Sequence, residues 1–138
     1  MRAWLVRGAV VAAVHALVQT GVAALRAAHP DWLSVLRPVS LGLLVGVAVF
    51  WAGLDAWRGL ERPAMEWFRA ALLAGPVSGV LGVLLQGLLV DQTGVESVWA
   101  AITGGAAFTA LLVLVPAVLG LGLGRLVGRR SVAQHREV

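Results

Sequence analysis

A chain of 138 residues that is 59% hydrophobic and only 13% charged, with a mean hydropathy of +0.88, has too little polar surface to coat a water-soluble globule. It has no cysteine, which excludes a disulfide framework and a thiolate metal site, and all 11 of its lysine-plus-arginine positions are arginine. A pI near 11.6 would suggest nucleic acid for a soluble protein, but these arginines stand at the ends of apolar stretches, where they anchor to anionic lipid headgroups and set topology; no nucleic-acid partner is expected.

Since a hydrocarbon core of about 30 Å needs roughly 20 apolar residues in a helix, the apolar stretches at 8–25, 39–57, 70–90 and 98–123 predict four transmembrane spans. The fold class is therefore an all-α membrane protein, one four-helix transmembrane bundle over residues 1–138 with a basic tail at 125–138. Arg2 and Arg7 ahead of the first span resemble the start of a signal peptide, yet the apolar run is too long, no small-residue cleavage site follows it and three more spans come after, so it is expected to be retained. His29-Pro30-Asp31-Trp32 reads as a turn with Asp31 as a helix cap, after which residues 32–37 form an interfacial turn and Pro38 begins the second span. Pro63 and Glu66 read as the first turn of the third helix, and Pro76 permits a kink within it. Thr93 to Glu96 fits a capping box that starts the fourth helix ahead of the membrane. Such a helix of about thirty residues would be some 45 Å long and is expected to bend at Gly104-Gly105 or at Pro116, with the tail beyond it frayed.

Arginine placement orients the bundle. Arg2 and Arg7, then Arg58, Arg62 and Arg69, then Arg125, Arg129, Arg130 and Arg136 fall on one face, whereas only Arg26 and Arg37 fall on the other. N-terminus, C-terminus and middle loop are thus expected in the cytoplasm. Trp4, Trp57, Trp67 and Phe68 then sit at the inner interface, Trp32 and Trp99 at the outer one. The arginine-only basic set, together with the Ala, Val, Leu and Gly bias, suggests a high-GC bacterium and hence a bacterial inner membrane.

Close helix packing in lipid needs small residues. Gly42 with Gly46, Gly75 with Gly79 and Gly120 with Gly124 each make a GxxxG spacing, and Ala9, Ala13 and Ala16 mark a small face on the first span. Polar groups within the spans are few, and an ionised one at mid-bilayer costs at least about 2.5 kcal/mol. Asp55, near the inner end of the second span, is the one carboxylate among them. It is either a switchable charge for a proton or substrate, or an ion pair with Arg58, Arg7 or Arg69 that ties helix ends; its shallow position among arginines favours the pair. His15, with Gln19 one turn on, is either a polar patch completed by Gln86, Thr103 or Thr109, or a neutral histidine satisfied by one interhelical hydrogen bond. Arg7, Arg58, Arg69 and Arg125 are assigned to ion pairing or lipid anchoring, and Pro76 and Pro116 to helix bends. No catalytic set, phosphate loop, haem pair or metal cluster is recognisable, and His29 with Asp31 is too sparse for a metal, so no enzyme activity and no cofactor are expected.

Three stretches read in order, Phe50-Trp51-Ala52-Gly53-Leu54-Asp55, Met65-Glu66-Trp67-Phe68-Arg69 running on to Gly79, and Gly104-Gly105-Ala106-Ala107-Phe108-Thr109 running on to Ala117, together with the opening Trp4 to Gly8, resemble a bacterial four-helix family of the drug/metabolite transporter superfamily. The resemblance implies transport and supplies no substrate or site residue. Small multidrug pumps of that superfamily work as antiparallel dimers around a carboxylate in the first helix. This chain has no acid in its first span, and its arginine bias predicts one orientation, so a parallel homo-oligomer or association with other membrane subunits is expected instead. Two functions remain open: a small transporter in which Asp55, His15, Gln19 and Gln86 line a polar path, and a non-catalytic subunit or scaffold whose glycine faces bind other helices. The first predicts a polar cavity, the second a dry, fully packed bundle.

Overall fold

The computed structural model describes residues 3–89 and 104–134. Helix α1 spans Ala3–Ala28; a single 3-10 turn, Pro30–Trp32, leads into α2 at Leu33–Trp57; α3 spans Pro63–Leu89 and α4 Ala106–Gln134. All four are long and apolar enough to cross a membrane. At 1.5 Å per residue the 26 residues of α1 extend about 39 Å, which exceeds a hydrocarbon core and leaves its ends at the headgroups.

Chain neighbours are not the principal packing partners. Helix α1 lies along α3 and α2 along α4, each pair parallel, and α3 against α4 joins the pairs; α1 and α2 touch little. Small residues account for this arrangement, because they let helix backbones meet. A Cβ on Gly120 would fall on the carbonyl oxygen of Val49, and one on Gly124 on that of Gly53, so the α2–α4 seam is backbone against backbone. Gly75 meets the carbonyl of Ala106 in the same way on the α3–α4 seam, and a Cβ on Gly8 would lie 3.1 Å from the carbonyl of Ala70 on the α1–α3 seam. The shared core is correspondingly small-grained: Ala12, Ala52, Ala71, Ala74 and Ala117 surround one large side chain, Trp67, which is fully buried.

Two of the expected small faces differ. Gly42 and Gly46 lie exposed, with nothing within 4 Å of where a Cβ would stand, so among the described residues that GxxxG spacing packs no helix. On α1 the buried small residues are Gly8, Ala12 and Ala16, while Ala9 and Ala13 are exposed; burial of Arg7 and His15 turns the helix to that phase. Indeed no residue of α2 before Ala48 is buried. The second helix is therefore held along its last half and stands away from the described bundle along its first.

Boundaries also shift. Asp31 lies inside the 3-10 turn that Pro30 opens and caps no helix; α2 starts after Trp32 without a side-chain cap and runs straight through Pro38, while His29 stacks on Trp32 with ring centroids 5.2 Å apart. Its C-terminus closes on Gly59, whose left-handed φ of 71° lets the amides of Gly59 and Leu60 donate to the carbonyls of Ala56 and Asp55. Helix α3 begins at Pro63 with Glu66 in its first turn, as its sequence signature requires. At the far end α4 remains helical to Gln134 rather than fraying after residue 124, so that Arg125 and Arg129 stand on a continuous rod, Arg129 at the end of the stretch apolar enough to cross a membrane. The Thr93–Glu96 cap and Trp99 lie outside the described residues.

Replacing Gly120 or Gly124 by alanine should lower stability in detergent by about 1–3 kcal/mol, because an added methyl has only backbone to displace. Gly42→Ala, in open space, should be neutral or stabilising by up to about 1 kcal/mol through helix propensity. Thermal unfolding of the three variants side by side checks the assignment.

Candidate functional site

Two polar clusters sit in the apolar bundle, at different depths. At the end where α1 and α3 begin and α2 finishes, Arg7 grips Asp55 with two parallel hydrogen bonds, Nε to Oδ2 at 2.7 Å and an Nη to Oδ1 at 2.8 Å. The indole Nε1–H of Trp67 donates to the same Oδ2 at 3.0 Å, and its ring meets Trp51 edge-on at 5.9 Å. Asp55 is 5% exposed and Arg7 9%. A bidentate pair with a third donor satisfies both charges where water cannot. One residue from each of α1, α2 and α3 is thereby locked at one level of the bundle. Arg58 and Arg69, the other partners considered for Asp55, are exposed, and Trp67 is a core residue rather than an interfacial anchor. Glu66, next to Trp67 on α3, has one buried carboxylate oxygen lacking a partner among the described residues.

The second cluster lies about 12 Å further along α1, the rise of the eight residues from Arg7 to His15. There a cavity of about 250 Å³ opens beneath the free half of α2, bounded by His15 and Gln19 of α1, Ser40, Leu41 and Leu44 of α2, Gln86 of α3 and Phe108 of α4. His15 is 2% exposed; its Nε2 lies 3.3 Å from the Thr109 hydroxyl, and its Nδ1 is buried with no partner among the described residues. Gln19 and Gln86 converge over Gly82: a Cβ there would lie 3.1 Å from Gln19 Oε1 and 3.8 Å from Gln86 Nε2. Ser40 donates its hydroxyl to the Arg37 carbonyl at 2.9 Å and keeps its oxygen lone pairs as acceptors. Neutral donors and acceptors thus stand among apolar walls.

The structure therefore divides the residues singled out in the sequence. His15, Gln19 and Gln86 meet at one cavity with Thr109 behind the imidazole, whereas Asp55 is committed to Arg7 and Trp67 in the other cluster. Thr103 lies outside the described residues. Pro76 is exposed on α3, where the Ser78 hydroxyl donates to the neighbouring Gly75 carbonyl at 2.9 Å, and Pro116 is buried inside α4. Arg125 and Arg129 border a shallow recess with Trp57 and Gly128 at the outer surface of the α2–α4 seam. Among the described residues no three His, Cys, Asp or Glu side chains gather to hold a metal. Ser40 and Gly82 were not legible as site residues, although Gly82 lies one turn before Gln86 and so shares its helix face. Comparison of the chain with protein-family models and with curated proteins gave no match.

Asp55→Asn should be destabilising by about 3–5 kcal/mol, since it leaves the Arg7 guanidinium buried without a counter-charge. The double variant Arg7→Met with Asp55→Leu should be more stable than either single charge removal. Unfolding of the four proteins in one detergent reads the pair as a structural tie.

Proposed function

We propose that this protein is a small integral-membrane transporter whose substrate site is the cavity formed by His15, Gln19, Ser40 and Gln86. The observation that carries the reading is that cavity: polar groups are expensive within apolar helices, and here Gln19, Ser40 and Gln86 border one accessible space. The resemblance of the chain to a four-helix family of the drug/metabolite transporter superfamily points the same way. In the orientation that the arginine bias supports, both termini and the Arg58–Arg69 loop face the cytoplasm of a bacterium and the cavity lies in the outer half of the inner membrane. The Arg7–Asp55–Trp67 lock then closes the cytoplasmic end, and movement of the unpacked half of α2 about Ala48 changes access to the cavity. Single orientation requires a parallel homo-oligomer or a partner subunit rather than an antiparallel pair, and Arg125 and Arg129 are placed to meet anionic headgroups. The exposed Gly42–Gly46 face favours a second reading, a subunit that binds other transmembrane helices through α2.

Two measurements test this. The chain has no native cysteine, so single cysteines report topology: an impermeant maleimide added to intact cells should label Ser34→Cys and spare Glu61→Cys, and labelling of both would refute one fixed orientation. Protein extracted into native nanodiscs should run at one discrete homo-oligomeric mass, and a small-molecule library should contain compounds that raise the melting temperature of wild type but not of Gln86→Leu and that enter proteoliposomes faster than protein-free vesicles. Stoichiometric recovery with a larger membrane complex, and no Gln86-dependent compound, would make the protein an accessory subunit.

A further inference from the structure

We propose that the cavity takes a small neutral amphiphile, an aromatic or branched apolar body bearing one group that both donates and accepts hydrogen bonds, such as a carboxamide. This rests on the reading of the cavity as a substrate site and adds to it the class of molecule bound.

Charge is the first discriminator. Every described side chain that bounds the cavity is neutral or ionisable only as an imidazole, and the nearest ion pair, Arg7 with Asp55, is about 12 Å along α1 and already closed on itself. An ionised ligand in so apolar a site would lose its hydration without gaining a counter-charge, which costs far more than neutral hydrogen bonds return. Polar chemistry is the second. His15 contributes a wall of the cavity rather than a free donor or acceptor, since its Nε2 is engaged by Thr109 and its Nδ1 is buried away from the accessible space. Gln19 and Gln86 offer both donors and acceptors, and the Ser40 oxygen retains acceptor capacity. A group that can only donate, or only accept, leaves part of that set unsatisfied; an amide matches it.

Size and access complete the argument. The cavity, at about 250 Å³, is larger than the roughly 150 Å³ that admits benzene and smaller than the about 300 Å³ at which drug-sized sites begin. Gly82 lies behind the glutamine amides, where a Cβ would crowd Gln19 Oε1 at 3.1 Å and touch Gln86 Nε2 at 3.8 Å. Leu41 and Phe108 at its edge are 43% and 59% exposed on surfaces that face hydrocarbon, so the mouth is apolar and favours solutes already partitioned into the bilayer.

Three probes of matched shape separate the possibilities: 2-phenylacetamide, phenethylammonium and phenylacetate, measured by equilibrium dialysis against the full-length protein in phosphatidylcholine nanodiscs, with empty nanodiscs subtracted. The amide should bind wild type at least about tenfold more tightly than either ion, and Gln19→Leu or Gln86→Leu should each weaken it roughly tenfold, as expected for losing one or two hydrogen bonds. Gly82→Val, which displaces the Gln19 amide, should also weaken binding, with the melting temperature of each variant measured to separate loss of the site from loss of the fold. Preference for the cation or anion that still depends on Gln19 and Gln86 would overturn neutrality while leaving the site in place. Binding indifferent to all three substitutions would overturn the site itself, and failure of all three probes to bind would overturn the proposed ligand class.

Discussion

A guanidinium and a carboxylate, buried together among apolar helices and joined by an indole N–H, form the constraint on which the rest of the bundle depends. Arg7, Asp55 and Trp67 come from α1, α2 and α3, so closing their hydrogen bonds sets the relative height and rotation of three helices at once. The geometry tolerates little adjustment, because each charge would be costly if left alone in a low-dielectric interior. Rotation of α1 to bring Arg7 inward also brings Gly8, Ala12, His15 and Ala16 to the same buried side. The polar site further along that helix is thus a consequence of the lock, displaced from it by about two turns.

Glycine and alanine decide how the helices close around that lock. Hydrophobicity cannot choose partners in lipid, so contact goes to the faces on which backbones approach. Gly120 and Gly124 bring α4 onto Val49 and Gly53 of α2, and Gly75 brings α3 onto Ala106. These contacts bind α2 along its second half only. Its first half carries Gly42 and Gly46 away from any described neighbour, and the space left beneath it is the cavity. Packing and site are therefore the same fact seen from two sides: tight seams at one level leave room at another.

Charge in the described bundle is segregated from the cavity proposed as the substrate site. The sole acid considered as a transport group is consumed by a structural bond, and the cavity is furnished with an imidazole, two amides and a hydroxyl. Such a division differs from small pumps in which a membrane carboxylate is itself the exchange site. On the transport reading proposed above, solute polarity is matched by neutral hydrogen bonds and no buried charge changes state.

Four apolar helices, the turn before α3 and the polar character of His15, Gln19, Gln86 and Asp55 were legible in the sequence, because span length and the cost of polar groups in lipid are local properties that each segment carries alone. Asp55 could be narrowed to three arginines by proximity along the chain and at the helix ends, yet the choice of Arg7, 48 positions away, needed the helices in place. So did the separation of Asp55 from His15, the burial of Trp67 and the idleness of Gly42 and Gly46. The number of helices, their lengths and the polar groups they hold follow from the chain segment by segment. Which faces meet emerges in three dimensions alone, since in lipid every apolar face is equally content and the partner is chosen by backbone contact and charge pairing between distant segments.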